Sequence, residues 1–152
     1  MSVKMVDISS KEPVSREASA SATICLRRDT VEMIKTNQVE KGDVLAVSRV
    51  AAVQAVKHTP DIIPLCHPIP IEHVAVDFEL NAEEVRVIVR VKAFAKTGVE
   101  MEALAGASAA VLTIWDMTKK YEKDSNGQYP STSIKEIRVL EKREGQAGGN
   151  PS

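Results

Sequence analysis

From Ala18 the chain alternates strictly, with Ala18, Ala20, Ala22, Ile24 and Leu26 on one side and Ser19, Ser21, Thr23 and Cys25 on the other. Successive side chains of a strand point to opposite faces, so this period predicts a strand with one buried face. Residues 1–17 before it are polar and aperiodic, and read as an extended arm. Asp29 followed by Glu32 resembles a capping box opening a short helix to about Asn37. Gly42 breaks that helix, and Asp43 caps a second one, Val44 to Lys57, whose VLAV and VAAV runs are apolar almost all round and predict burial. Pro60 ends it, and Pro60, Pro64, Pro68 and Pro70 stiffen a loop that carries Leu65, Cys66 and His67 at its middle.

Two more alternating runs, Val74-Val76-Phe78-Leu80 and Val85-Val87-Val89-Val91, flank the turn Asn81-Ala82-Glu83 and predict a hairpin. Thr97 and Glu100 have capping-box spacing at the head of a long helix reaching about Lys123, with Leu104, Val111 and Trp115 near one stripe. Inside it lies a small-residue belt, Ala105 to Ala110, that includes Gly106. A mid-helix glycine is about 1 kcal/mol worse than alanine, so close approach of another backbone is the expected reason. A polar loop, 125–133, leads to a last strand, Ile134 to Leu140. The order β-α-α-β-β-α-β, with the first two helices merged into one crossover, predicts an α+β fold: a ferredoxin-like split βαβ with an antiparallel sheet and helices on one face. The open sheet face and the apolar second helix call for a cover, for which a second copy of the chain is the natural choice. The organisation expected is an arm, 1–17, one domain, 18–143, and a mobile tail, 144–152.

Composition narrows the classes of function. With 20 Lys+Arg against 21 Asp+Glu the formal charge is -1, so no global field draws nucleic acid or an acidic membrane. Aromatic residues at 3% build the core from Val, Ile, Leu and Ala, and are too few for a base-stacking platform. Two cysteines make no disulfide framework and suit a reducing cytoplasm. The N-terminus has charged residues where a secretion signal would be apolar, and the longest uncharged run, Ala103–Trp115, is 13 residues, short of the roughly 20 a bilayer needs. Neither nucleic acid nor membrane is an expected partner.

Three segments can carry chemistry. PLCHP, 64–68, presents Cys66 and His67 between prolines, suited to ligand contact or proton transfer, though a rigid linker would look the same. KTGVEMEAL, 96–104, sets Glu100 and Glu102 in the first helical turn, where the helix dipole alone favours carboxylates. WDMTKK, 115–120, puts Asp116 one turn from Lys119 and Lys120, as an acid–base pair, a phosphate anchor, or an ordinary surface ion pair. Among His58, His67, His73, Cys25 and Cys66 the His67–His73 spacing is permitted for zinc, but no CxxC pair accompanies it and the prolines between oppose a helical pair, so no metal site is expected. Neither GxxxxGK[ST] nor GxGxxG occurs.

Taken together, MVDIS at Met5, SREASAS at Ser15, KGDV at Lys41, PLCHP, KTGVEMEAL and DMTK at Asp116 occur in an order and spacing that resemble the cyclic pyranopterin monophosphate synthase family, the C-type accessory protein of molybdenum cofactor biosynthesis. The resemblance covers about residues 5–124. It implies a lyase that takes the 3',8-cyclised dihydroguanosine triphosphate made by a radical S-adenosylmethionine enzyme to cyclic pyranopterin monophosphate and diphosphate. It also implies a ferredoxin-like fold and a homohexamer of three dimers with active sites at subunit contacts. Residue by residue it assigns Asp116 as catalytic acid/base and Lys119 as its cationic partner. Leu65, Cys66, His67, Met101, Glu102, Glu100, Lys41 and Arg16 fall on substrate-binding positions, and Lys142 matches a late basic residue. No resident cofactor follows, and Mg²⁺ at the diphosphate is left open. The stretch KYEKDSNGQYPSTS is longer and more polar than the family link, and LEKREG replaces a glycine-rich LEKSGG pattern. The rival reading is a non-catalytic oligomeric nucleotide- or pterin-binding domain, which would bind without turnover.

Overall fold

The fold is taken from a computed structural model that describes residues 1–145. Strand β1 spans Val14–Cys25, followed by helices α1 (Arg28–Lys35), α2 (Val44–Lys57) and α3 (Thr59–Ile62). The hairpin β2 (Ile71–Leu80) and β3 (Glu84–Ala95), helix α4 (Glu100–Glu122) and strand β4 (Ser133–Glu144) complete the order. The four strands form one sheet in the order β2-β3-β1-β4, every pairing antiparallel. Thus the expected α+β class and antiparallel sheet are present.

The two periods account for the core. Ala18, Ala20, Ala22 and Ile24 of β1 face the same side as Val85, Val87, Val89 and Val91 of β3, and all are buried. Helix α4 lies across β1, β3 and β4, α2 packs beside it and over β2, and the two helices pack on each other. Gly106 marks their crossing. A Cβ there would stand 2.8 Å from Val56 Cγ2, 3.1 Å from Val89 Cγ1 and 3.3 Å from the Ala52 carbonyl, which is the close approach the small-residue belt predicts. The Asp43 carboxylate accepts from the Ala46 N–H at 3.1 Å, as its place ahead of α2 predicts.

Other expectations are corrected. Strand β1 begins at Val14, so the last four residues assigned to the arm are paired with β3. Neither predicted capping box forms. Helix α1 begins at Arg28 with Arg27 at its N-cap and no side-chain cap; Arg27 N–H instead donates to the Glu122 carboxylate of α4, at 3.1 and 3.2 Å. Helix α4 begins at Glu100 behind Val99, and the Glu100 carboxylate turns away to Lys142. The Glu100 carboxylate lies in the space a Cβ at Gly98 would fill, so a larger residue there would make that side chain shift. Pro60 opens the one-turn helix α3, since proline is tolerated where a helix has no use for its N–H. The buried face of α4 runs through Ala103, Ala107, Ala110, Val111, Ile114 and Thr118, leaving Leu104 and Trp115 at its margin.

Helix α2 is not buried all round: Val47 and Val50 are 45% and 56% exposed. The strands also carry charged pairs, Arg90–Glu17 at 3.5 Å, Arg86–Glu79 at 3.2 Å and Lys135–Glu84 at 2.6 Å, while Ser19, Ser21 and Thr23 of β1 are buried. The expected tail begins inside β4, at Glu144, and from Gln146 onward it lies outside the described residues. No helix among the described residues is long and apolar enough to cross a membrane.

Candidate active site

The residues singled out in the sequence gather at the two ends of α4. At the C-terminal end Asp116 is exposed and held between two ammonium groups. Lys119 Nζ, one turn along the same helix, is 3.1 Å from Oδ1, and Lys41 Nζ, from the α1–α2 connection, is 3.2 Å from Oδ2. Lys41 also donates to the Asp116 carbonyl at 3.1 Å. The hydrogen bond from Lys119, then that from Lys41 and the charges of both, hold the Asp116 carboxyl below the usual aspartate range. Asp116 is therefore a carboxylate at neutral pH. Beside it, Leu112, Trp115, Lys119, Tyr129 and Ile134 line an open hollow of about 400 Å³, where Tyr129 meets Trp115 edge-on with ring centroids 5.2 Å apart.

At the N-terminal end the proline-stiffened loop lies on α4. Cys66 Sγ is 3.7 Å from Glu102 Oε2, and Glu102 is 1% exposed. Burial pushes the Glu102 carboxyl up, and neither its backbone hydrogen bond nor the Cys66 contact offsets that. Burial, then the Glu102 charge, pushes the Cys66 thiol up as well, so Cys66 is a thiol and not a nucleophilic thiolate. Glu102 Oε1 is buried without a hydrogen-bond partner. His67 is half-buried next to Cys66, and Leu65 and Met101 are exposed at 47% and 41%. The N-terminal arm folds against this loop: Ile8 and Pro13 line a hollow of about 280 Å³ with His67, Phe94 and Lys96, and Lys96 Nζ donates to the Ser9 carbonyl at 3.4 Å.

The remaining basic positions flank the same end and are already engaged. Arg16 is buried, donating to the Ala95 carbonyl at 3.2 Å, to the Lys96 carbonyl at 3.3 Å and to the Glu144 carboxylate. Lys142 Nζ meets Glu100 Oε1 at 2.7 Å. Burial pushes the Glu100 carboxyl up, but the Lys142 hydrogen bond, its own backbone amide and the charges of Lys142 and Arg16 outweigh it, and the net shift is down. The Lys142 ammonium is shifted up by the same contact. Among the described residues no three His, Cys, Asp or Glu side chains come together as a metal site.

One chain thus brings together two halves of the predicted set and does not unite them. Glu102 and Asp116 are about 21 Å apart along one continuous helix at 1.5 Å per residue. Sequence reasoning missed Glu122, whose buried carboxylate accepts from Arg27 N–H, the Thr30 hydroxyl and the Thr132 hydroxyl, the last at 2.6 Å. Its signal was available: an acidic residue continuing the buried stripe of Val111, Ile114 and Thr118. It also missed Glu40 and Tyr121 beside Lys41, and it set Lys120 against Asp116, whereas the folded chain pairs Lys120 with Glu40.

The fold is an antiparallel α+β one, with a carboxylate clamped by lysines toward one end of α4 and a buried acid beside a thiol at the other, groups suited to acid–base chemistry. The chain matches the MoaC family over residues 5–145, and it belongs to that family. It is 59% identical over 139 residues to a probable cyclic pyranopterin monophosphate synthase from Sulfurisphaera tokodaii, covering 91% of this chain and 92% of that one. A protein of the same name from Aeropyrum pernix is 58% identical over 141 residues, covering 93% and 97%, and one from Methanosarcina mazei is 57% identical over 144 residues, covering 95% and 92%.

Proposed function

We propose that this chain is a cyclic pyranopterin monophosphate synthase, a lyase of molybdenum cofactor biosynthesis. It converts (8S)-3',8-cyclo-7,8-dihydroguanosine 5'-triphosphate, the product of a radical S-adenosylmethionine enzyme, to cyclic pyranopterin monophosphate and diphosphate. Beyond the relatives' names, the observation that carries this reading is the Asp116 carboxylate between Lys41 and Lys119. Closing a cyclic phosphate on a triphosphate needs a base to take a hydroxyl proton and cations to hold the departing diphosphate. An ionised Asp116 is the base, and Lys41 and Lys119 are the cations. Glu102, pushed toward its neutral form, donates the compensating proton during ring opening, with Cys66, His67, Leu65 and Met101 around the substrate. Arg16 and Lys142 receive phosphate oxygens by exchange with their carboxylate partners, Glu144 and Glu100.

The strand order β2-β3-β1-β4 supports the ferredoxin-like split βαβ. A homohexamer of three dimers is the assembly we assign, located in the cytoplasm. Its support is the exposed apolar set on α2 (Val47, Val50), α4 (Leu112) and β4 (Ile137, Val139, Leu140), together with the two separated half-sites. A neighbouring chain brings the Glu102 half to the Asp116 half. Incubation with the cyclised triphosphate tests the reaction: release of diphosphate and of a pterin that fluoresces after oxidation is the expected result, and binding without release leaves a non-catalytic domain. Co-refolding Asp116→Ala with Glu102→Ala tests the shared site. Activity in the mixture, absent from either variant alone, is expected; an inactive mixture whose mixed oligomers are confirmed by mass spectrometry refutes it.

A further inference from the structure

Lys41 reaches Asp116 from an exposed connection, and an exposed ion pair on a long flexible side chain does little to hold itself together. Something else must fix the backbone from which Lys41 extends. The residue before it, Glu40, is tied twice to α4: its N–H donates to the Tyr121 hydroxyl at 2.9 Å, and its carboxylate pairs with Lys120 Nζ. Tyr121 is half-buried against the core and so offers a fixed acceptor, with the Lys120 ammonium 5.9 Å from its ring centroid. On the other side of Lys41, Gly42 turns the chain at φ 120°, a conformation that favours glycine, directly into the Asp43 cap of α2. Lys41 is therefore held between two anchored residues.

We propose that Tyr121 and Lys120, neither of which clamps the Asp116 carboxylate, form with Glu40 a latch that positions Lys41 at Asp116. They are positioning residues. The latch also keeps Lys120 off Asp116, which lies one turn before it on the same helix, so that Lys119 and Lys41 alone clamp the carboxylate.

Tyr121→Phe is the informative variant, because Glu40→Ala would release Lys120 to replace Lys41 at Asp116. The groups facing Asp116 are Lys119 from its own helix and Lys41 from the α1–α2 connection. The ¹³C titration of the Asp116 carboxyl, read by NMR on the full chain without substrate, therefore reports whether Lys41 is in place. In Tyr121→Phe the midpoint is expected to rise toward that of Lys41→Ala, and adding Tyr121→Phe to Lys41→Ala is expected to change nothing further. A midpoint unchanged from wild type, or a second shift in the double variant, overturns the latch. Diphosphate release is measured on the same proteins, an arm that rests on the proposed function. Loss of one neutral hydrogen bond predicts a fall in kcat/KM of about threefold to tenfold in Tyr121→Phe and none in the Lys41→Ala background. A midpoint that moves with no loss of turnover upholds the latch and removes Lys41 from the reaction.

Discussion

Replacing Gly106 by alanine sets two opposing effects against each other, and the structure decides between them. In an open helix the change would stabilise by about 1 kcal/mol. Here the new methyl group meets Val56 Cγ2 at 2.8 Å and Val89 Cγ1 at 3.1 Å, both on fully buried side chains, and the Ala52 carbonyl at 3.3 Å. Valine in a helix has one strongly preferred rotamer, so Val56 cannot swing aside, and the backbone oxygen cannot move without α2. With three close contacts at once, overpacking here falls in the upper part of its usual range, about 2–3 kcal/mol, which leaves a net destabilisation of about 1–2 kcal/mol after the helix gain. For a chain of this size that lowers Tm by about 2–8 °C, measured at fixed protein concentration because assembly raises Tm. Val56→Ala removes the atom met at 2.8 Å. It is destabilising alone, but the double variant should lose less than the two singles together, by about 1 kcal/mol. A Gly106→Ala protein as stable as wild type, or strictly additive losses, would refute this account of the α2–α4 contact.

Four further outcomes are expected. Asp116→Asn and Lys119→Ala each lower turnover by about 10²–10⁴-fold with circular dichroism unchanged; wild-type rates in both would remove the pair from the chemistry. Calorimetry on Lys41→Ala should show weakened binding of the cyclised triphosphate with stability little altered, since the side chain is exposed. Because the folded-state pKa of Glu102 is raised above 4.5, its contribution is full below that value and is lost as pH rises through the folded pKa, so Glu102→Gln should gain stability relative to wild type from acidic to neutral pH. Melting curves at the two ends of that range check the sign. Glu122→Ala leaves two hydroxyls and one N–H without their acceptor and should cost about 2–4 kcal/mol in denaturant unfolding; a loss under 1 kcal/mol would show that water replaces the carboxylate.

Local periodicity determined β1 from Ala18 on, the hairpin, and α2 with its Asp43 cap, because each depends on side chains only a few residues apart, and the small belt announced a close approach at Gly106 without saying that α2 and β3 make it. The motifs likewise marked Asp116 and Lys119, since one helical turn makes them neighbours in any context. Residues far apart in the chain could not be judged that way. Whether Thr97 or Asp29 caps a helix depended on competitors: Glu100 turns to Lys142, and Glu122 serves the start of α1 from across the fold. Pairing of Lys41 with Asp116, of Cys66 with Glu102 and of Arg16 with Glu144 each joins segments separated by tens of residues, and burial then set the charge states. A proton's preference follows from the dielectric and the charges around it, and these belong to the tertiary structure rather than to the order of residues. The division of the site between the two ends of α4 was already implicit in the 1.5 Å rise per residue, once the helix was known to run unbroken from Glu100 to Glu122.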